Sequence, residues 1–153
     1  MSSTKIVITD TSCFILLSKI DAFELLQRLF GTVLTTPEIA REFGEQLPEW
    51  VTVVPVINQD LFQLYKEEVD PGEASALALA KELLADLVIL DDMNARRFAG
   101  KIGITFKGTL GLFLMAKQAK LIPAVKPYIE KIKQTNFWIA AHLLEQCIRD
   151  AGE

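Results

Sequence analysis

The sequence predicts an α/β domain in which helices cover a mainly parallel sheet, and three observations predict it. Short apolar segments alternate with helical ones, the pattern of strands joined by crossover helices. The run Leu87-Val88-Ile89-Leu90 is apolar without alternation, which suits a strand buried on both faces. No repeat, low-complexity tract or linker divides the 153 residues, a length that supports one core of its own. The expected architecture is a three-layer α/β/α sandwich with a helical C-terminal tail.

The elements follow in order. "KIVIT" reads as a first strand that ends at Asp10. "TSCFILLSKI" and "DAFELLQRLFG" read as helices, the second with Asp21 as cap, Glu24 completing a capping box and Gly31 at its end. "TVLT" is a short second strand, and "PEIAREFGEQL" a helix with Pro37 in its first turn. "WVTVVPV" alternates as a strand does, and Pro55 suggests a sheet edge. "QDLFQLYKEEV" and "GEASALALAKELLA" are helical, "LVIL" is the buried strand, "MNARRFAG" a helix and "GITF" the last strand. The remaining segments, "GTLGLFLMAKQAKL", "PAVKPYIEKIKQ" and "FWIAAHLLEQCIRDAG", are helical, the last amphipathic enough to cover the core or to form an interface.

Composition excludes several functions. Half the residues are hydrophobic and 24% are charged, as in a globular protein. The apolar runs "CFILL" and "TLGLFLMA" are far shorter than the roughly 20 residues that span a bilayer. "MSSTKIVITD" lacks the basic and then apolar pattern of a secretory signal, so a cytoplasmic location with no membrane partner is expected. Cys13 and Cys147 lie far apart in apolar surroundings and read as reduced core thiols. With His142 the sole histidine, His-rich metal sites and Ser-His-Asp hydrolysis lose their basis. A net charge of −4 disfavours binding nucleic acid by bulk positive charge, but not an enzyme whose acidic site is neutralised by cations.

Ligands of parallel α/β sheets gather beyond the carboxyl ends of the strands. Asp10 ends the first strand there, and Asp91 and Asp92 end the buried one. One of that pair suffices to cap "MNARRFAG"; the other requires a different reason. Glu73 can complete a capping box with Asp70, yet it stands in helical line with Ala76, Leu77, Ala80 and Leu84, the expected sheet-facing stripe. In "PEIAREF", Ile39 and Phe43 mark the inward face. Glu42 borders it, while Glu38 reads as decoration of the helix dipole. Carboxylates converging without His or Cys favour Mg²⁺ or Mn²⁺, which activate water against a phosphodiester. Arg96, Arg97, Lys101 and Lys107 follow closely and suit an RNA backbone, Arg96 and Lys107 above all. Thr109 reads as the cap of the next helix and Ser12 as that of the first; either hydroxyl can also reach a metal shell. A receiver-type domain also collects acids at strand ends, but it requires its acidic pair near the first strand.

The ordered set "VITDTSCFI", "TTPEIAREF", "DPGEASALALA", "VILDDMNARRFAG" and "GITFKGTLGLFLMAK" resembles the PIN-domain family, most closely its prokaryotic subgroup related to VapC-type toxins. The resemblance covers about residues 5–120, and that subgroup carries a helical tail like residues 121–153, making 1–153 a single PIN-like domain. It implies a metal-dependent endoribonuclease in which Asp10, Glu42, Glu73 and Asp91 or Asp92 bind Mg²⁺ or Mn²⁺. It also implies toxin activity restrained by a cognate antitoxin, and homodimerisation. The family often has Asp where Glu73 stands. Many members also carry an Asp two residues beyond a Thr after the fourth strand, which leaves the choice between Asp91 and Asp92 open. The rival reading is a non-catalytic binding protein with a vestigial metal site.

Overall fold

The computed structural model describes residues 5–153. Along the chain lie β1 (Val7–Thr9), α1 (Thr11–Lys19), α2 (Glu24–Phe30), β2 (Val33–Thr35), α3 (Pro37–Phe43), β3 (Val51–Val53), α4 (Gln59–Lys66) and α5 (Pro71–Leu83). They are followed by β4 (Leu87–Ile89), α6 (Met93–Lys101), β5 (Phe106–Lys107), α7 (Thr109–Gln118), α8 (Lys126–Lys133) and α9 (Ala141–Asp150). The sheet has five strands in the order β3-β2-β1-β4-β5, and every pairing is parallel. From β1 the chain steps outward to β2 and β3, then crosses back to β4 and β5 on the other side of β1. That reversal opens a crevice between the carboxyl ends of β1 and β4.

The central strands are apolar because both faces are covered. Val7, Ile8, Val88 and Ile89 are fully buried. Helix α5 packs on β1 and β4 and against α3 and α4, while α2 packs on β2 and α7, and α9 joins α7 and α8. The start of α3 is tied to α5 by a buried hydroxyl chain. Thr36 Oγ1 lies 2.7 Å from Ser75 Oγ, Ser75 donates to the Gly72 carbonyl at 2.7 Å, and Ile39 N donates to Thr36 Oγ1 at 3.2 Å. These bonds fix α3 and α5 side by side, and with them the acids that both helices carry. Cys13 and Cys147 are buried free thiols. Among the described residues no helix is long and apolar enough to cross a membrane.

The alternating order, the parallel sheet and the edge position of β3 agree with the sequence reading. Several local expectations do not. Asp21 does not cap α2: it has φ 54°, Phe23 occupies the cap position without a side-chain bond, and no capping box forms. Helix α3 stops at Phe43 because Gly44 turns left-handed at φ 74°. The last strand is Phe106–Lys107, not "GITF", since Gly103 turns at φ 77° and register with Val88 and Ile89 begins only at Phe106. "FWIA" lies outside α9. Leu84 leaves the expected stripe: Ala76, Leu77 and Ala80 are buried, but Leu84 closes α5 at φ 53° and is 83% exposed.

Leu84 and Leu77 therefore respond oppositely to truncation. Leu77→Ala is expected to lower the unfolding free energy by about 2–5 kcal/mol. Leu84→Gly is expected to be neutral or to raise it by up to about 1 kcal/mol, because leucine in the left-handed region is strained and buries nothing here. Urea midpoints at constant slope read both effects. A Leu84→Gly loss as large as that of Leu77→Ala would return Leu84 to the core.

Candidate functional site

Asp10 is the first residue beyond β1 and the N-cap of α1, and only 3% of its surface is exposed. One carboxylate oxygen accepts from Cys13 N at 2.9 Å, the other from Asp91 N at 3.1 Å. A single side chain thus starts a helix and joins the ends of β1 and β4. Ser12 does not cap α1; Asp10 does, and Ser12 lines the cavity beside it. Burial is the main cause that pushes the Asp10 carboxyl well above its ordinary range, reinforced by the negative charges of Asp91 and Glu73.

The adjacent aspartates divide two tasks. Asp92 is the N-cap of α6, accepting from Ala95 N at 2.9 Å. Asp91 accepts from Thr109 N at 2.8 Å and from Thr109 Oγ1 at 2.6 Å, and Arg96 Nη2 lies 3.8 Å from its Oδ1. Thr109 is therefore not the cap of α7. Gly108 holds that position, and both donors of Thr109 point at Asp91. A β-carbon at Gly108 would displace the flexible end of the Arg96 guanidinium and stand 3.0 Å from Asp91 Oδ1. Arg96 is anchored through Nε to the Leu90 carbonyl at 2.6 Å and lies over the Phe106 ring at 5.8 Å.

Glu42, in the last turn of α3, accepts from the Thr11 hydroxyl. It approaches α5 so closely that a β-carbon on Gly72 would lie 2.9 Å from its carboxylate. Glu73, in the first turn of α5, is half-buried. Desolvation is the main cause that raises its pKa, with Asp70, Asp92 and Glu42 adding repulsion. Asp70 sits at the cap position of α5 but makes no capping bond, so the capping box with Glu73 is not formed. Glu38 pairs with Arg41 at 3.7 Å and does not line the cavity that holds these acids.

Asp10, Ser12, Glu42, Glu73, Asp91, Asp92, Arg96 and Thr109 all line one cavity of about 940 Å³, and Asp70 joins them. Lys107 is not among its walls; it is exposed, and its aliphatic stem covers Gly111. Arg97 and Lys101 are exposed on α6. The lining also includes apolar side chains, Ile15, Leu110, Leu114 and the stretch Phe137-Trp138-Ile139 ahead of α9, together with Gln146 and Asp150 of α9. Among the described residues, no three His, Cys, Asp or Glu side chains converge tightly enough to hold a metal ion as they stand. Asp91 is already engaged by Thr109 and Arg96, and Asp10 by two backbone amides. Sequence reasoning did not single out Thr11, Gly72, Gly108 or Trp138, and it read Asp70 only as a cap. For Gly72 and Gly108 the signal was local, a glycine directly preceding Glu73 and Thr109.

The fold and this rim of acids define an α/β domain with an acidic site at its topological switch point. The family of PIN domains designated DUF3368 matches residues 6–153, and the chain belongs to it; PIN domains are typically nucleases. No curated protein matches the chain.

The raised Glu73 pKa has a sign that can be checked. The folded protein holds the proton more tightly than the unfolded chain, so this group's favourable contribution is present at low pH and is lost as pH rises through its folded pKa. Glu73→Gln removes that loss. The variant is expected to melt higher than wild type at neutral pH, with the difference shrinking as pH falls below the ordinary glutamate range. Thermal unfolding across pH measures it; a difference independent of pH would mean that Glu73 is not held in a desolvated, acidic setting.

Proposed function

We propose that the protein is a Mg²⁺- or Mn²⁺-dependent endoribonuclease whose centre is the cavity lined by Asp10, Glu42, Glu73 and Asp91. The observation that carries this reading is the delivery of carboxylates from β1, α3, α5 and β4 to one cavity at the switch point. The donor set fits a hard cation. Burial pushes the Cys13 thiol well above its ordinary range and raises Cys147 to about 11, so oxygen is the only anionic donor at neutral pH. Asp10, Glu42, Glu73 and Asp91 would hold the ion, with Asp92 at their border. A bound divalent cation supplies an activated water and neutralises charge developing at the phosphodiester. The chain's own part is positional. Thr109 fixes both oxygens of Asp91, Thr11 orients Glu42, and Asp10 keeps the two strand ends in register. Arg96, at the cavity wall, is the residue placed to hold a substrate phosphate, and the exposed Lys107 would assist only outside the cavity.

The likeness of the ordered motifs to VapC-type toxins supports RNA as substrate, a cognate antitoxin as partner and a homodimer as the working form. A second reading, a PIN fold retained for binding, draws on two observations. The acids do not close into a ready coordination shell, and Arg96 already serves as a cation beside Asp91.

RNA cleavage by the purified protein is expected with Mn²⁺ or Mg²⁺ and is expected to vanish in EDTA. Thr109→Val, which removes one donor to Asp91 while keeping the shape, is expected to lower metal affinity or activity by roughly 10- to 100-fold. Gel assays and metal titration read these outcomes. Cleavage that persists in EDTA would end the metal mechanism, and no cleavage under any condition would favour the binding protein.

A further inference from the structure

We propose that Trp138 and the apolar side chains that line the cavity with it form a stacking subsite for an unpaired nucleobase next to the scissile phosphodiester. The inference rests on the nuclease reading in one respect, that the carboxylates face a phosphodiester.

Three observations carry it. First, the cavity's lining is mixed. Besides the carboxylates it includes Ile15, Leu114, Phe137 and Trp138, with Gln146 and Asp150 as the polar residues of α9. Cations and a phosphate leave those apolar side chains without a partner, and at about 940 Å³ the space is of the size that holds an organic ligand. In a nucleic acid, the component that suits apolar and aromatic side chains is the base.

Second, Trp138 is left in solvent. It is 82% exposed and is the one aromatic among the exposed large hydrophobic residues described. Trp50, by contrast, packs on Phe23 with ring centroids 5.6 Å apart. An exposed indole among the lining residues of the acids' cavity has ample area for a base.

Third, the chain leading to Trp138 is anchored. Thr135 Oγ1 donates to the Ile132 carbonyl at 2.8 Å and accepts from Phe137 N at 3.1 Å, while Lys19 Nζ donates to Asn136 Oδ1 at 2.7 Å. The tryptophan is thus presented on a braced turn tied to α1, the helix that Asp10 begins. Bases in a duplex already stack on their neighbours, so such a subsite selects unpaired nucleotides.

The test uses the full chain and a labelled single-stranded RNA ten-mer, the same RNA as a duplex, and the corresponding single-stranded DNA. Binding is read by fluorescence anisotropy in EDTA and in Mn²⁺, with cleavage read separately. Trp138→Ala is expected to weaken single-strand binding by about tenfold or more, in the range for loss of one base–aromatic stack. Trp138→Phe is expected to keep most of the affinity, duplex binding to be unaffected by either change, and both variants to melt as wild type does. RNA and DNA single strands losing affinity alike identifies the base as the recognised part. Unchanged single-strand binding by Trp138→Ala overturns the subsite, as does a shift from dimer to monomer in light scattering, which would make Trp138 a contact between copies. Trp138-dependent binding without cleavage sustains the subsite and removes the nuclease reading. Cleavage with Trp138-independent binding does the reverse.

Discussion

The Asp10 carboxylate is the constraint around which the rest is arranged. Two parallel strands end side by side at the switch point, and each end releases backbone amides that need acceptors. Asp10 N finds the Ile89 carbonyl at 3.2 Å, continuing the β1–β4 ladder by one rung. Its side chain then serves Cys13 N at the start of α1 and Asp91 N at the end of β4. A neutral residue would satisfy these donors less fully, because a carboxylate is acceptor-only at both oxygens. The same burial that makes the bonds effective makes the charge costly, which pushes this carboxyl well above its ordinary range. Structure and chemistry thus share one group.

The fold was legible because its signals are periodic and local. A fully apolar strand followed at once by acids, with helices between strands, leaves few alternatives to a parallel sheet with its polar rim at the carboxyl ends. What could not be read depends on distant neighbours. Asp91 and Asp92 are alike in sequence, and either stands where it could cap α6. The choice between them is made by Thr109, which β5 delivers 18 residues later so that both its donors meet Asp91. Leu84 followed helical phase in sequence, but α5 ends in a left-handed turn and takes the side chain out of line. Gly72 and Gly108 carried only a local signal, their place directly before Glu73 and Thr109. Their importance is the absence of a β-carbon where Glu42 and Arg96 pass.

Arg96 shows how a site assembled from acids remains foldable before anything binds. Its guanidinium lies 3.8 Å from Asp91 and is partly exposed, so the ion pair itself is worth at most about 1 kcal/mol. Position matters more than strength. The Nε bond to the Leu90 carbonyl and the contact over Phe106 hold the positive group at the wall even when its terminal nitrogens turn elsewhere. A charge anchored at its base and free at its tip can compensate Asp91 in one state and meet a phosphate in another. Lys107, two residues beyond Thr105 on an edge strand, has no such anchor, which separates two cations that looked equivalent in sequence.

The mixed lining of the cavity also gives the segment after α8 a place in the domain. Phe137, Trp138 and Ile139, with Leu143, Gln146, Cys147 and Asp150 of α9, line the same space as the acids of the switch point. The tail is fixed at both ends of the cavity wall: Lys19 on α1 reaches Asn136, and Cys147 on α9 points its thiol at the Leu110 carbonyl of α7 at 3.7 Å. A helix that amphipathicity alone left open as core cover or interface therefore has a further use. It contributes side chains to the lining of the site.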